Sequence, residues 1–237
     1  MIVFQKVSKQ FPDGTLALDQ ASFQVNEGEF VFFIGPSGAG KTTIMRLLRR
    51  EIVPTKGTIL IKGKNLKEMK KEETPKLRRG VAMCFQDFKL LYDRTVYENI
   101  ALSLEIGGMG EKKIQQRMAE ILKSVGLEKK GNFFPVQLSG GELQRVGIAR
   151  AIVGNPGVLI ADEPTGNLDP ESAFGILKLF KEINLTGTTV LVATHNVELV
   201  NRFKERVILL KKGKIVSDHK KGKYQLKKPH KDKEGKS

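Results

Sequence analysis

Eight consecutive residues, Gly35-Pro36-Ser37-Gly38-Ala39-Gly40-Lys41-Thr42, fit the pattern GxxxxGK[ST]. Gly38 and Gly40 let a backbone curl until successive N–H groups point inward, a concave nest for anionic oxygens. A helix that starts there adds the positive end of its dipole, and Lys41 adds a mobile full charge for the outer oxygens of a polyphosphate. The Thr42 hydroxyl is placed to ligate magnesium, a hard cation that prefers oxygen.

A second group of polar residues follows apolar runs. Asp162-Glu163 ends the run Val158-Leu159-Ile160-Ala161. An acid at the end of a buried strand emerges beside the phosphate loop, where Asp162 can hold magnesium through its water shell. Glu163, one residue further, can orient the water that attacks a terminal phosphate and accept its proton. Gln86, after Val81-Ala82-Met83-Cys84-Phe85, can offer an amide oxygen to magnesium or to water. His195 follows the run ending at Ala193 and can hydrogen-bond the terminal phosphate. Ser139-Gly140-Gly141-Glu142 opens a helix, so it is a second anion-binding helix start. One polyphosphate cannot easily use two such starts from the same chain, which points to a site shared by two copies.

Positioning these groups takes a particular set of elements. Phe30 to Ile34 is apolar throughout and precedes the phosphate loop, and Thr43 to Arg50 lacks Gly and Pro, so strand, loop and helix follow in order. Thr188 to Ala193 and Val207 to Leu210 read as further buried strands, and Pro170 to Leu185 as a helix. Ahead of them, Leu16, Leu18, Ala21, Phe23 and Val25 alternate with polar residues at strand period, after the turn Phe11-Pro12-Asp13-Gly14. Pro54-Thr55-Lys56-Gly57 leads into another strand, so the phosphate loop is flanked by hairpin material on both sides. In the middle third, Ile114, Met118, Ile121, Leu122 and Val125 recur at helical spacing up to Gly126, and a second helix is expected from about 141 to 153. That block reads as a helical lobe inserted into an α/β core.

Bulk properties narrow the field. Cys84 is the single cysteine, which excludes an intrachain disulfide, and its apolar neighbours mark it as a core residue. No apolar run approaches the roughly 20 residues needed to cross a bilayer, and the first residues lack the core of a signal peptide. A cytoplasmic protein is expected, with any membrane link made through a partner or the surface. The net charge is +15, and residues 211–237 contribute 11 lysines against three acidic residues. The stretch 221–237 is expected to be a disordered basic tail. It suits anionic lipid, whereas nucleic acid is disfavoured because Tyr224 stands alone as a stacking residue there.

Taken together, the phosphate loop, the Gln86 loop, Leu138-Ser139-Gly140-Gly141-Glu142, Asp162-Glu163, Asn167-Leu168-Asp169 and His195 resemble the ATP-binding cassette (ABC) family in order and rough spacing. The resemblance covers almost the whole chain. It implies a P-loop NTPase ABC nucleotide-binding domain over residues 1–220. Its parts would be a RecA-like parallel-sheet core, an N-terminal antiparallel β subdomain and an α-helical subdomain at roughly 88–155. It implies ATP and Mg2+ as cofactors and a head-to-tail homodimer on ATP binding. Gly35 to Thr43 of one copy would then face Ser139, Gly140, Gly141 and Glu142 of the other. Thr42, Gln86 and Asp162 would hold the metal. Glu163 would be the general base, His195 the γ-phosphate switch and Asp169 part of the loop that communicates across the dimer. Phe11 falls where the family sets an aromatic against adenine. The run Phe85-Gln86-Asp87-Phe88-Lys89-Leu90-Leu91 and the stretch from Asp93 to Ala101 look like the family's cell-division members, which work with an integral membrane protein. Exporter ATPases share Glu163 to Asp169 and are the alternative. Leu143 and Asn196 depart from the family pattern without removing a proposed catalytic group. Phe88, Leu90, Leu91 and Tyr92 are the candidate groove for a partner helix, with core packing the competing assignment.

Overall fold

Strand β3 (Phe30–Ile34) is buried at every residue, and its alternate side chains enter two different cores. Phe30, Phe32 and Ile34 join one core, Val31 and Phe33 the other. In this computed structural model, residues 1–220 are described; the basic tail proposed for 221–237 lies outside them.

β3 is central in a six-stranded sheet, between β8 (Thr189–Thr194) and β9 (Arg206–Lys211), both parallel to it. Beyond β8 come β7 (Val158–Asp162) and β6 (Val81–Cys84), also parallel, and β10 (Lys214–His219) closes the other edge antiparallel to β9. A separate four-stranded antiparallel sheet runs β2 (Leu16–Val25), β1 (Ile2–Gln10), β4 (Lys56–Ile61), β5 (Lys64–Asn65). It shares a core with helix α1 (Lys41–Leu48) against one face of the large sheet, with Phe4 and Phe23 stacked at 4.4 Å.

The opposite face carries α3 (Val96–Glu105), α4 (Glu111–Ser124), α5 (Gly140–Ile152) and α6 (Pro170–Leu185). Helix α4 buries Ile114, Met118, Ile121 and Leu122 at the expected spacing, and Gly126 follows it at φ 70°. Helix α6 has the bounds its sequence predicts, with the Asp169 carboxylate accepting from Glu171 and Ser172 N–H at its start. Two further helices, α2 (Thr74–Gly80) and α7 (Val197–Phe203), complete the α-helices among the described residues. No helix among the described residues is long and apolar enough to cross a membrane.

Strands β5 and β10 and helices α2 and α3 were not anticipated. For α3 the signal was present: Thr95-Val96-Tyr97-Glu98 is a capping box, with Glu98 N–H donating to Thr95 and Thr95 N–H to the Glu98 carboxylate.

Candidate nucleotide site

The loop after β3 wraps over the start of α1 because two glycines allow it. Gly40 caps α1 at φ 106°, and a Cβ there would stand 2.7 Å from the Ala17 carbonyl oxygen and 2.8 Å from Leu18 Cδ2. Gly35 lies at φ 152°, against the Leu210 carbonyl. The N-terminal edge of β2 and the end of β9 therefore press directly on the phosphate loop.

A cleft of about 750 Å³ opens there. It gathers Pro36 to Thr43 with Gln86, Glu163 and His195, which the sequence placed on four separate segments. Parallel pairing explains the meeting: β3, β8 and β7 are adjacent, so the segments leaving their C-terminal ends meet on one edge. Thr15, Leu16, Ala17 and Gly166 complete the lining and escaped sequence reasoning. In the sequence Leu16 is one more apolar residue of an alternating strand, and only its 50% exposure in the fold sets it apart.

Charge in the cleft forms a chain of contacts. Lys41 Nζ donates to the carbonyls of Gly35 (2.8 Å) and Pro36 (3.3 Å) and lies 3.4 Å from Glu163 Oε1. The other carboxylate oxygen of Glu163 is 3.0 Å from His195 Nδ1 and accepts from the His195 backbone N–H at 3.3 Å. Glu163 itself is left-handed, at φ 48°, with its N–H donating to Ala193 O at 2.8 Å. The chain thus turns sharply just past Asp162.

Asp162 sits in an unfavourable electrostatic setting. Burial pushes its carboxyl above the usual range, the neighbouring Glu163 charge adds to this, and the Thr42 hydroxyl and Lys41 oppose it. Its Oδ1 is buried and has no hydrogen-bond partner among the described residues. A buried, orphaned carboxylate oxygen beside a threonine hydroxyl is a donor set of the kind a hard cation takes.

Other sequence candidates lie elsewhere. Ser139 caps α5: its hydroxyl accepts from Glu142 N–H at 3.3 Å, while its own N–H donates to Glu142, which pairs with Lys130 at 3.4 Å. Gly140 and Gly141 face Leu168 and Ser172, in and just after the Asp169 loop. None of Ser139 to Glu142, nor Asp169, borders the cleft of its own chain. Phe11 is not among the residues lining the cleft either. It sits in the β1–β2 turn with the Lys9 ammonium 5.3 Å from its ring centre, and the cleft wall is built from residues 15–17. The apolar cluster after Gln86 divides: Leu90 is core and Phe88 packs on it, whereas Leu91 and Tyr92 are exposed. The fully buried Asn99 holds this loop, accepting from Leu91 N–H and donating to the Leu91, Arg94 and Thr95 carbonyls.

Residues 18–166 match the model of the ABC transporter family, well over half the chain. The chain belongs to that family. Among similar proteins, the cell division ATP-binding protein FtsE of Streptococcus pneumoniae is 50% identical over 94% of this chain and 97% of its own. FtsE of Bacillus subtilis is 51% identical over 94% and 98%, and that of Escherichia coli 47% over 91% and 97%. Among solved structures, a dimeric ATP-binding cassette in a post-hydrolysis state, bound to ADP and Pi, superposes with a TM-score of 0.82 at 36% identity. It covers 93% of this chain and 98% of that one. This ABC ATPase therefore shares its fold with a cassette solved as a dimer, in one structure with ADP and Pi bound.

Proposed function

We propose that this ABC ATPase is the ATP-hydrolysing subunit of an FtsEX-like complex in cell division. Two copies close head to tail on ATP, and closure moves an integral membrane partner of the FtsX kind that regulates cell-wall hydrolysis. Its place is on the cytoplasmic face of the membrane, held there through that partner. The close relation to FtsE proteins over nearly the whole chain supports the cellular role.

The observation that carries the chemistry is the single Glu163 carboxylate poised between Lys41 and His195 at the phosphate-loop cleft. Lys41 and the N–H groups of the loop bind the β- and γ-phosphates. Glu163 aligns the attacking water and takes its proton, and His195 senses the γ-phosphate. Thr42, Asp162 and Gln86 fit a bound Mg2+, which would neutralise phosphate charge. Ser139, Gly140 and Gly141, which do not line their own cleft, complete the site of the second copy. Asp169, beside them, joins the two sites across the seam. Leu91 and Tyr92 offer the partner an exposed apolar contact, and the basic residues beyond 220 offer anionic lipid an electrostatic one.

The test is Glu163→Gln, which keeps shape and hydrogen-bond reach but removes the base. Turnover should fall about 100-fold or more, and ATP should hold the variant as a dimer on size exclusion. Phosphate release at the wild-type rate would remove Glu163 from this role.

A further inference from the structure

Helix α5 starts at the Ser139 turn and ends beneath the segment that follows Gln86. Three positions dock it there, spaced at three residues along one face. Gln144 Nε2 donates to Cys84 Sγ at 3.2 Å, in the last residue of β6. Gly147 brings the helix backbone close, so that a Cβ there would sit 3.9 Å from both Cys84 Sγ and the Phe88 carbonyl oxygen. Arg150 ends the row. Its Nη2 donates to the Phe88 carbonyl at 2.7 Å and its Nη1 to the Lys89 carbonyl at 2.6 Å.

Both of those carbonyls are turned toward Arg150 by unusual backbone. Phe88 and Lys89 are consecutive non-glycine residues with φ of 56° and 50°, a conformation that side chains disfavour. Such a conformation persists only where surrounding contacts over-determine it, and the guanidinium fork is the contact that spans both residues. Arg150 lies outside the nucleotide cleft. It lines a separate groove with Arg49, Arg78 and Phe85, and its link to the cleft runs through Phe88 and Asp87, the one residue between Phe88 and Gln86.

The geometry points to Arg150 as a positioning residue: it fixes where Gln86 stands in the cleft and ties that position to the helix whose first turn serves the second copy. The inference rests on the shared-site reading above. Gln86 and the Ser139 turn occupy opposite ends of one docked unit, β6 and its loop on α5. A shift of Gln86 on the γ-phosphate is therefore passed to α5 through Arg150 rather than absorbed by the loop.

The test is a comparison of Arg150→Ala, Arg150→Lys, Gln86→Ala and the double variant Gln86→Ala/Arg150→Ala. Arg117→Ala is the control, because Arg117 Nε also donates to a backbone carbonyl, that of Val153 at 3.0 Å, away from the cleft. Steady-state phosphate release and binding of a fluorescent ATP analogue are measured on the full chain. Arg150→Ala should lower kcat about tenfold with ATP affinity changed less than about twofold, as expected when a supporting contact is lost. Arg150→Lys, which keeps the charge but not the two-pronged reach, should recover part of the loss. In the Gln86→Ala background the Arg150 change should cost nothing more, and Arg117→Ala should leave kcat intact. Independent, multiplying losses in the double variant would overturn the proposal, as would a higher KM at unchanged kcat. If Arg150→Ala lowers the folded fraction, Arg150→Lys alone and with Gln86→Ala carries the same comparison. Failure of the shared-site reading would show separately, as Ser139→Ala retaining normal turnover.

Discussion

Replacing Asp162 with Asn should raise the stability of the nucleotide-free chain while destroying its activity. The carboxylate ends β7 with Oδ1 buried and unpaired, and burial holds its pKa above the ordinary value. A raised carboxyl pKa means that folding takes up a proton. The resulting stabilisation is complete below the unfolded-state pKa and is lost as pH rises through the folded-state value. Near neutral pH the ionised group therefore opposes folding. An unsatisfied buried polar group costs about 1–3 kcal/mol, and Asn removes the charge while keeping the shape, so a gain of about 1–2 kcal/mol is expected. In a domain of this size each kcal/mol moves Tm by about 2–4 °C, so the variant should melt about 2–8 °C above wild type. That gap should close as the medium is acidified below the ordinary carboxyl range. Turnover should fall about 100-fold or more, and magnesium-ATP should stabilise the variant less than wild type. Thermal melts across pH, with and without magnesium-ATP, read both effects beside a phosphate-release assay. A variant that melts below wild type near neutral pH would refute the reasoning, because the carboxylate would then be stabilising the empty site. An unchanged response to magnesium-ATP would refute its assignment as a metal ligand.

Ser139→Ala removes the hydroxyl that caps α5, which should cost about 1 kcal/mol of stability. Turnover should fall further than that loss accounts for, while ATP binding by a single subunit is untouched; normal turnover would detach Ser139 from the second copy's site. Arg206 is buried and donates to both Asp218 oxygens, to Glu29 and to the Gln24 carbonyl, joining β9, β10, β2 and the start of β3. Arg206→Ala leaves the Asp218 carboxylate without its guanidinium partner and should lower unfolding stability by about 3–5 kcal/mol in urea titrations, and a loss under about 1 kcal/mol would show the pairs to be dispensable.

Much of this protein was legible along the chain because its chemistry is local. A glycine loop between a fully apolar strand and a helix needs no distant contact to declare a phosphate nest, and the 3.6-residue spacing of Ile114, Met118 and Ile121 declares a buried helical face. Parallel strands buried on both sides read as apolar runs, so the polar residues at their ends stood out as site candidates. Edge and marginal elements did not stand out. β10 has one face exposed, and α2 buries none of its residues, so neither has a strong period.

Tertiary structure decided what depends on two segments meeting. Only the order of strands β3, β8 and β7 brings Lys41, Glu163 and His195 within reach of one another, across more than 150 residues of chain. Only the folded chain shows that residues 15–17 help to wall the cleft, because it takes the pairing of β1 and β2 to set them beside the phosphate loop. And only packing reveals that Arg150 clasps two carbonyls next to Gln86. Backbone carbonyls have no sequence signature, so an arginine that serves them looks, in one dimension, like any other basic residue on a helix.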